Sequence, residues 1–234
     1  HLTAEIAEKF GCVTKDWNGF NVLHRAASRV GALSVGFLPH AGGKDFTGII
    51  EGTKTGSIRA LYLLGADEFD ARGAVGWKTF VIYQGHHGDK GAARADVIFP
   101  GAAYTEKDGT YINTEGRVQQ SKRAAFPPGE AKEDWKILRA LSERLENTLS
   151  YNSLHELRQR TEEAWSVVSE KDALPQEMWL PFGEKGKILD EPFRLPSENY
   201  YLTNAICRAS DTMKACAESF SKEGQNKHLL EAAE

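Results

Sequence analysis

The sequence predicts an α/β protein with a short, mostly parallel β-sheet flanked by helices, followed by an irregular C-terminal strap and helix. Three short apolar runs, each ending in glycine or proline, are typical of strands buried on both faces of a parallel sheet. These runs are IRALYLLGAD, TFVIYQG and ADVIFPG. Periodic apolar residues elsewhere indicate helices, and repeated prolines after Lys171 indicate extended backbone.

The chain before the first run predicts two helices and a loop. The first helix has apolar residues at helical spacing and a glycine where a left-handed cap would lie. These residues are Leu2, Ile6, Phe10 and Gly11. A second helix is predicted from Asn21 to Val30, with Gly31 after it. The glycine-rich segment 40–56 has no clear period and predicts a long surface loop.

After the three runs, the segment GTYINTEGRVQQS predicts an extended excursion or a loose hairpin rather than a core strand. Two helices then follow in the sequence. One carries the apolar stripe Trp135, Leu138, Leu141 and Leu145, and the next begins at Ser153, which forms a capping-box pattern with Glu156. We predict a domain from 1 to 170 and a second part from 171 to 234. That second part holds a proline-rich strap, a short strand at Gly186 to Leu189, a helix over Asn204 to Phe220, and a loose tail.

Composition excludes several functional classes. The net charge of −4 gives no basis for nucleic-acid binding, and no apolar run approaches the roughly 20 residues that span a bilayer. The chain begins at His1 without a signal-like segment, so we expect a processed chain or a fragment. Its three cysteines are too widely spaced for a C-x-x-C site, and we expect free thiols in a reducing compartment. They are Cys12, Cys207 and Cys216.

The stretch QGHHGDKG, residues 84–91, is the most suggestive candidate site because it follows a predicted strand. Adjacent histidines on a turn point in different directions, and no other histidine completes a tetrahedral metal set with His86 and His87. A general base remains chemically possible, but no serine or cysteine nucleophile accompanies it. The simpler interpretation is a structural turn in which Asp89 caps the short helix KGAARA.

Other candidate motifs are weaker. Neither GHHGDKG nor LGADEFDARGAVG matches a dinucleotide or P-loop pattern, although helix N-termini still attract anions. Glu106 and Glu115 resemble a carboxylate pair, but nothing in the sequence holds them together. We therefore assign no catalytic, cofactor-binding or metal-binding residue in this chain.

Three segments of the sequence resemble a known family. They are residues 80–143, which run from FVIYQGHHGDKG to RALSE, and the segments WNGFNVLHRAASRVGALSVGFLP and YYLTNAICRASDTMKAC. Together they resemble the C-terminal part of the large iron–sulfur (75-kDa) subunit of mitochondrial complex I, NADH:ubiquinone oxidoreductase. Within them, ADVIFPGAAYTEKDGTYINTEGRVQ is similar to a pattern of molybdopterin oxidoreductases. The resemblance therefore implies a molybdopterin oxidoreductase-like fold.

The resemblance also implies a function. It suggests a non-catalytic scaffold in the matrix arm of complex I, on the matrix side of the mitochondrial inner membrane. The 2Fe-2S and 4Fe-4S clusters are then expected in the N-terminal part of the parent subunit, since this chain lacks their cysteine motifs. The implied partners are that N-terminal part and other matrix-arm subunits, which the strap and the C-terminal helix would contact. A fragment of a pterin- and molybdenum-binding oxidoreductase is the alternative.

Overall fold

The computed structural model describes residues 2–24, 26–175, 179, 183, 185–187, 190 and 199–231, with side chains to residue 221. These residues form two compact units. We name them the hairpin unit (1–38, 109–121 and 155–194) and the sheet unit (39–108, 122–154 and 195–234). None of the described helices is both long enough and apolar enough to cross a membrane.

The sheet unit contains three parallel strands in the order β1-β2-β3. The strands are β1 (Ala60–Leu64), β2 (Phe80–Gly85) and β3 (Val97–Pro100). They coincide with the three apolar runs, so the predicted α/β class with a short parallel sheet is confirmed. Helices of this unit are α3 (Phe46–Thr55), α4 (Ala71–Ala74), α5 (Asp134–Arg144), α7 (Ala205–Ala209) and α8 (Asp211–Glu231). Short 3-10 turns lie at Ala92–Arg94, Tyr104–Glu106 and Tyr200–Leu202.

One face of this sheet carries the core of the unit. Leu63, Val81 and Tyr83 are buried there against Ala71 and Val75 of the α4 region. Side chains alternate between faces along each strand, and on the opposite face Leu64, Phe80 and Val97 are exposed. The prediction that all three strands are buried on both faces is therefore wrong within the described residues.

The hairpin unit is built around two antiparallel strands, β4 (Gly109–Ile112) and β5 (Val118–Ser121). They confirm the predicted hairpin, but the expectation that it is not a core element is wrong, because Ile112 and Val118 are buried. Its core joins Ile112 and Val118 with Val168, and valines at 30, 35 and 167 pack against them. The helices are α1 (Leu2–Lys9), α2 (Arg29–Ser34) and α6 (Leu154–Ala164, whose first residue belongs to the sheet unit), followed by a 3-10 turn at Ser166–Val168.

Two predictions for the chain before the first strand need correction. The helix predicted over Asn21 to Val30 is wrong, because α2 spans only Arg29–Ser34 and includes Gly31. The loop predicted over 40–56 is wrong as well. Asp45 accepts a hydrogen bond from the Gly48 N–H at 2.8 Å, and Gly56 is left-handed, so the two residues bound α3.

The C-terminal prediction is partly corrected too. The single helix expected over Asn204 to Phe220 is divided at Ser210 into α7 and α8, and α8 continues through most of the predicted loose tail. Most of the proline-rich strap and the end of the predicted strand at Gly186 to Leu189 lie outside the described residues. The division at residue 170 stays a prediction.

Helix α1 confirms its predicted position and its left-handed Gly11, but not its predicted buried face. Ala4 and Ala7 are the buried residues, whereas the three larger apolar side chains are exposed. The exposed residues are Leu2, Ile6 and Phe10. Helix α5 begins within one residue of the start of its predicted stripe, and α6 begins immediately after Ser153.

Candidate functional site at the carboxyl edge of the sheet

The carboxyl edge of a parallel sheet is the place where α/β folds assemble their sites. The turn after Gly85 places His86 and His87 at this edge, as the sequence predicts. Their Nδ1 atoms lie 2.8 Å apart, and the rings meet edge to face with centroids 5.0 Å apart. One ring must donate and the other accept, so at least one of the two is neutral when this hydrogen bond exists.

The backbone of this turn is left-handed at two successive residues, His87 with φ 60° and Gly88 with φ 54°. Glycine adopts that conformation freely, whereas a residue with a Cβ adopts it at a cost. His87 is exposed and His86 is half-buried. Burial lowers the pKa of His86 first of all, and the positive charges of His87 and Lys107 lower it further.

A chain of polar side chains crosses the same edge beside the histidines. The Tyr62 hydroxyl donates to Gln84 Oε1, and Gln84 Nε2 donates to Asp134 Oδ1 at 2.9 Å. The other oxygen of Asp134 accepts from Lys107 Nζ. Gln84 is completely buried, and burial together with the Asp134 charge raises the pKa of Tyr62. We call these four residues the Gln84 chain.

A second polar cluster surrounds Asp67, which lies in the loop after β1. Its Oδ2 accepts from the Tyr83 hydroxyl at 2.6 Å, and its Oδ1 accepts from the Gly91 N–H at 2.9 Å. Burial, followed by the hydrogen bond to Asp67, raises the pKa of Tyr83. Gly91 must be glycine here, because a Cβ would lie 2.7 Å from the Ala66 carbonyl oxygen and 2.8 Å from the Tyr83 ring.

Helix α7 completes this cluster through Arg208. Its Nε donates to Asp89 Oδ2, while its terminal nitrogens donate to the Leu202 carbonyl at 3.1 Å and to the Asp67 carbonyl at 3.3 Å. The prediction that the Asp89 carboxylate caps the following short helix is therefore wrong. That carboxylate instead forms an ion pair with Arg208, and among the described residues no side chain caps the 3-10 turn at Ala92–Arg94.

The other sequence candidates do not join this edge into a catalytic set. The Glu106 carboxylate accepts from the Ala103 N–H at 2.9 Å, and Glu115 is exposed on the turn of the hairpin unit beside Asn113. The three cysteines, at 12, 207 and 216, are free thiols of intermediate exposure. The described residues contain no group of three or more side chains suited to a metal ion.

Sequence reasoning missed the residues that organise this edge: Tyr62, Asp67, Gln84, Asp134 and Arg208. The buried polar Gln84 at the end of an apolar strand was the one signal available, because a buried amide requires partners. The partners themselves are distant in sequence. Gln84 lies 22 residues from Tyr62 and 50 from Asp134, and Arg208 lies 119 residues from Asp89.

Comparison with family models identifies the family to which the chain belongs. The family model described as molybdopterin oxidoreductase matches residues 1–144. The chain belongs to this family. A second model, which describes the C-terminal region of an NADH-ubiquinone oxidoreductase subunit, matches residues 166–216.

The chain is also similar to individual NADH-ubiquinone oxidoreductase subunits. The chain is 46% identical over 212 residues to the NADH-ubiquinone oxidoreductase 75 kDa subunit of Reclinomonas americana, covering 87% of the chain and 29% of that protein. It is 44% identical over 215 residues to the mitochondrial 78 kDa subunit of Candida albicans, covering 88% of the chain and 28% of that protein. The mitochondrial 78 kDa subunit of Neurospora crassa is 46% identical over 214 residues, covering 88% of the chain and 27% of that protein. The chain thus spans less than a third of the length of these relatives.

Family membership raises the question of whether this edge suits a molybdopterin cofactor, whose pyrophosphate needs free N–H donors and cations. Here the Gly91 N–H is already bound to Asp67, and Lys107 and Arg208 are paired with carboxylates. The acidic groups at 67, 89 and 134 would repel an added anion. The described residues of this edge therefore do not fit the cofactor.

Proposed function

We propose that the chain is a non-catalytic segment of the large iron–sulfur subunit of respiratory complex I, NADH:ubiquinone oxidoreductase. The observation that carries this proposal is the 44–46% identity to the 75 and 78 kDa subunits over nearly nine tenths of the chain. In this proposal the segment lies in the matrix arm, peripheral to the mitochondrial inner membrane. The 2Fe-2S and 4Fe-4S clusters belong to the N-terminal part of the parent subunit, and electrons pass through them rather than through this segment.

The geometry of the carboxyl edge supports a structural role. The four residues of the Gln84 chain hydrogen-bond to one another within the unit. A catalytic acid or base instead needs a group that can reach a substrate. Such a network rigidifies the edge of the sheet, because each buried polar group fixes the orientation of the next.

Membership in the complex is tested by native-gel separation of solubilised mitochondrial membranes, with peptides of this chain located by mass spectrometry along the lane. Co-migration with an NADH-oxidising band of the size of the whole complex supports the proposal. Migration near the 25.9 kDa of the chain, or in an unrelated assembly, contradicts it.

The non-catalytic role needs a separate test. His86→Gln and His87→Gln are introduced together into the parent subunit, and NADH:ubiquinone activity is divided by the amount of assembled complex. We expect the normalised activity to equal that of the wild type, whatever the change in assembly. A loss of normalised activity contradicts the scaffold role, and stoichiometric molybdenum or tungsten in the purified complex would favour a pterin-binding oxidoreductase.

A further inference from the structure

The face of the sheet opposite its core is an apolar surface that the described residues leave partly uncovered. Six side chains from all three strands form it, and we name them the open face: Tyr62, Leu64, Phe80, Ile82, Val97 and Phe99. We propose that an amphipathic α-helix from the preceding part of the parent subunit packs on the open face. This inference rests on the proposed function.

Strand register places these six side chains on one face. Tyr62 pairs with Ile82, and Ile82 pairs with Val97, so the three lie side by side across the sheet. The positions two residues along each strand share that face, because side chains alternate. The open face is therefore continuous across the three strands.

Exposure distinguishes the two faces along the central strand, whereas Ile98 of β3, on the core face, is itself 52% exposed. Leu64 is 48% exposed, Phe80 46% and Val97 36%, whereas Val81 and Tyr83 on the other face of the same strand are buried. The remaining three residues of the open face are of intermediate exposure. Its carboxyl end is closed, since Asp134 at the start of α5 covers the buried Gln84 there.

Parallel sheets are found almost only with both faces covered, and the covering elements are usually crossover helices. A three-stranded parallel sheet with one partly open face is therefore an incomplete layer. The open face offers five apolar side chains, one phenol and no formally charged group. The apolar stripe of an amphipathic helix matches such a surface.

The length of the relatives outside the matched region favours the parent subunit itself as the source of this helix. The matched region makes up 29% of one relative and 28% of another, which leaves about seven tenths of each polypeptide outside it. The family model that matches residues 166–216 is described as C-terminal, so the larger remaining part precedes this region. A segment of the same polypeptide is also held at high local concentration near the sheet, which favours it over a separate subunit.

The test uses the full-length parent subunit in the assembled complex. A photoreactive phenylalanine analogue is placed at residue 80, an apolar replacement of similar shape that should leave the sheet intact. The matched control carries the analogue at residue 126, because Phe126 belongs to the same unit, is 79% exposed and is not part of any of the three strands. After irradiation of the purified complex, cross-linked peptides are identified by mass spectrometry.

We expect the residue-80 analogue to cross-link to one helical segment of the preceding part of the same polypeptide, at a yield about tenfold above any such product from residue 126. Cross-links to another subunit, to a second copy of the chain, or to water alone overturn the inference. If the proposed function is wrong instead, the chain is absent from the complex before irradiation. The two failures therefore give different results.

Assembly provides a second measurement. Phe80→Asp places a charge on a surface that becomes buried, and we expect it to reduce the chain recovered in the complex about tenfold or more. Phe80→Leu keeps the apolar surface and should restore recovery, while Phe126→Asp adds the same charge elsewhere. Equal recovery of Phe80→Asp and Phe126→Asp would overturn the inference even if the chain is firmly established in the complex.

Discussion

Arg208 of α7 donates its Nε–H to the Asp89 carboxylate and so ties the C-terminal helices to the turn that follows the central strand. Both side chains are largely buried, at 17% and 20% exposure. The same guanidinium reaches two backbone carbonyls, one of which belongs to Asp67. One side chain therefore connects three parts of the sheet unit.

We expect Arg208→Ala to lower the free energy of unfolding by about 2 kcal/mol, because it leaves the Asp89 carboxylate without its cation. Urea denaturation followed by tryptophan fluorescence measures the change. Lys214→Ala is the control, since Lys214 pairs with a fully solvated Asp211 and its removal should have little effect. Equal losses in the two variants would contradict the role assigned to Arg208.

Gln84→Leu should destabilise the protein by about 1–3 kcal/mol, because it removes the central member of the Gln84 chain. The Tyr62 hydroxyl and one Asp134 oxygen then lose their partner in a poorly solvated place. Gln120→Leu makes the same replacement at an exposed position of β5 and serves as the control in the same denaturation experiment. A double-mutant cycle with Tyr62→Phe should give a coupling energy of roughly 0.5 kcal/mol or more. A coupling energy of zero would contradict the connection between Tyr62 and Gln84.

Gly91→Ala should lower stability by about 1–3 kcal/mol, because the added methyl group would collide with the backbone oxygen of Ala66 and with the Tyr83 ring. Thermal unfolding monitored by circular dichroism measures this loss. Gly186→Ala is the matched control, since a Cβ there meets no atom within 4 Å. If both variants melt at the temperature of the wild type, the close packing around Gly91 is refuted.

The His86–His87 turn predicts a pH dependence at acid pH. The folded state lowers the pKa of His86, chiefly by burial, so the unfolded chain binds the proton more readily than the native protein. The stabilisation associated with neutral His86 is therefore complete above its unfolded pKa of 6.5, and it is lost as pH falls below that value. Urea denaturation on either side of this pKa measures the slope.

His86→Gln should flatten this acid slope, since glutamine carries no titrating proton. His40→Gln removes an exposed histidine of the same unit without altering the turn, and so provides the comparison. A similar change of slope in both variants would contradict the assignment of the effect to His86.

The sequence predicts the strands well because an apolar run between glycine and proline is a local signal. Helix α3 also had local signals, the cap at Asp45 and the stop at Gly56, but the threonines and glycines between them obscured its stripe. The predicted helix over Asn21 to Val30 failed for the opposite reason. Its apolar residues Val22 and Leu23 are exposed, so no packing stabilises that segment as a helix.

The candidate site was only partly predictable. The position of His86 and His87 after a strand follows from local pattern, and it is confirmed. The partners of Gln84 and Asp89 depend on which distant segments meet at the edge of the sheet, and a single sequence carries no signal for such meetings. Asp89 illustrates this: local rules favoured a helix cap, whereas tertiary structure supplied a stronger cationic partner.

The wide separation of Arg208 from Asp89 also has a consequence for the order of events during synthesis. A ribosome that adds about 5–20 residues per second needs roughly 6–24 s to extend the chain between these two positions. The three strands leave the ribosome well before α7 does. A sheet that forms within that interval holds the Asp89 carboxylate without the guanidinium that neutralises it in the complete fold.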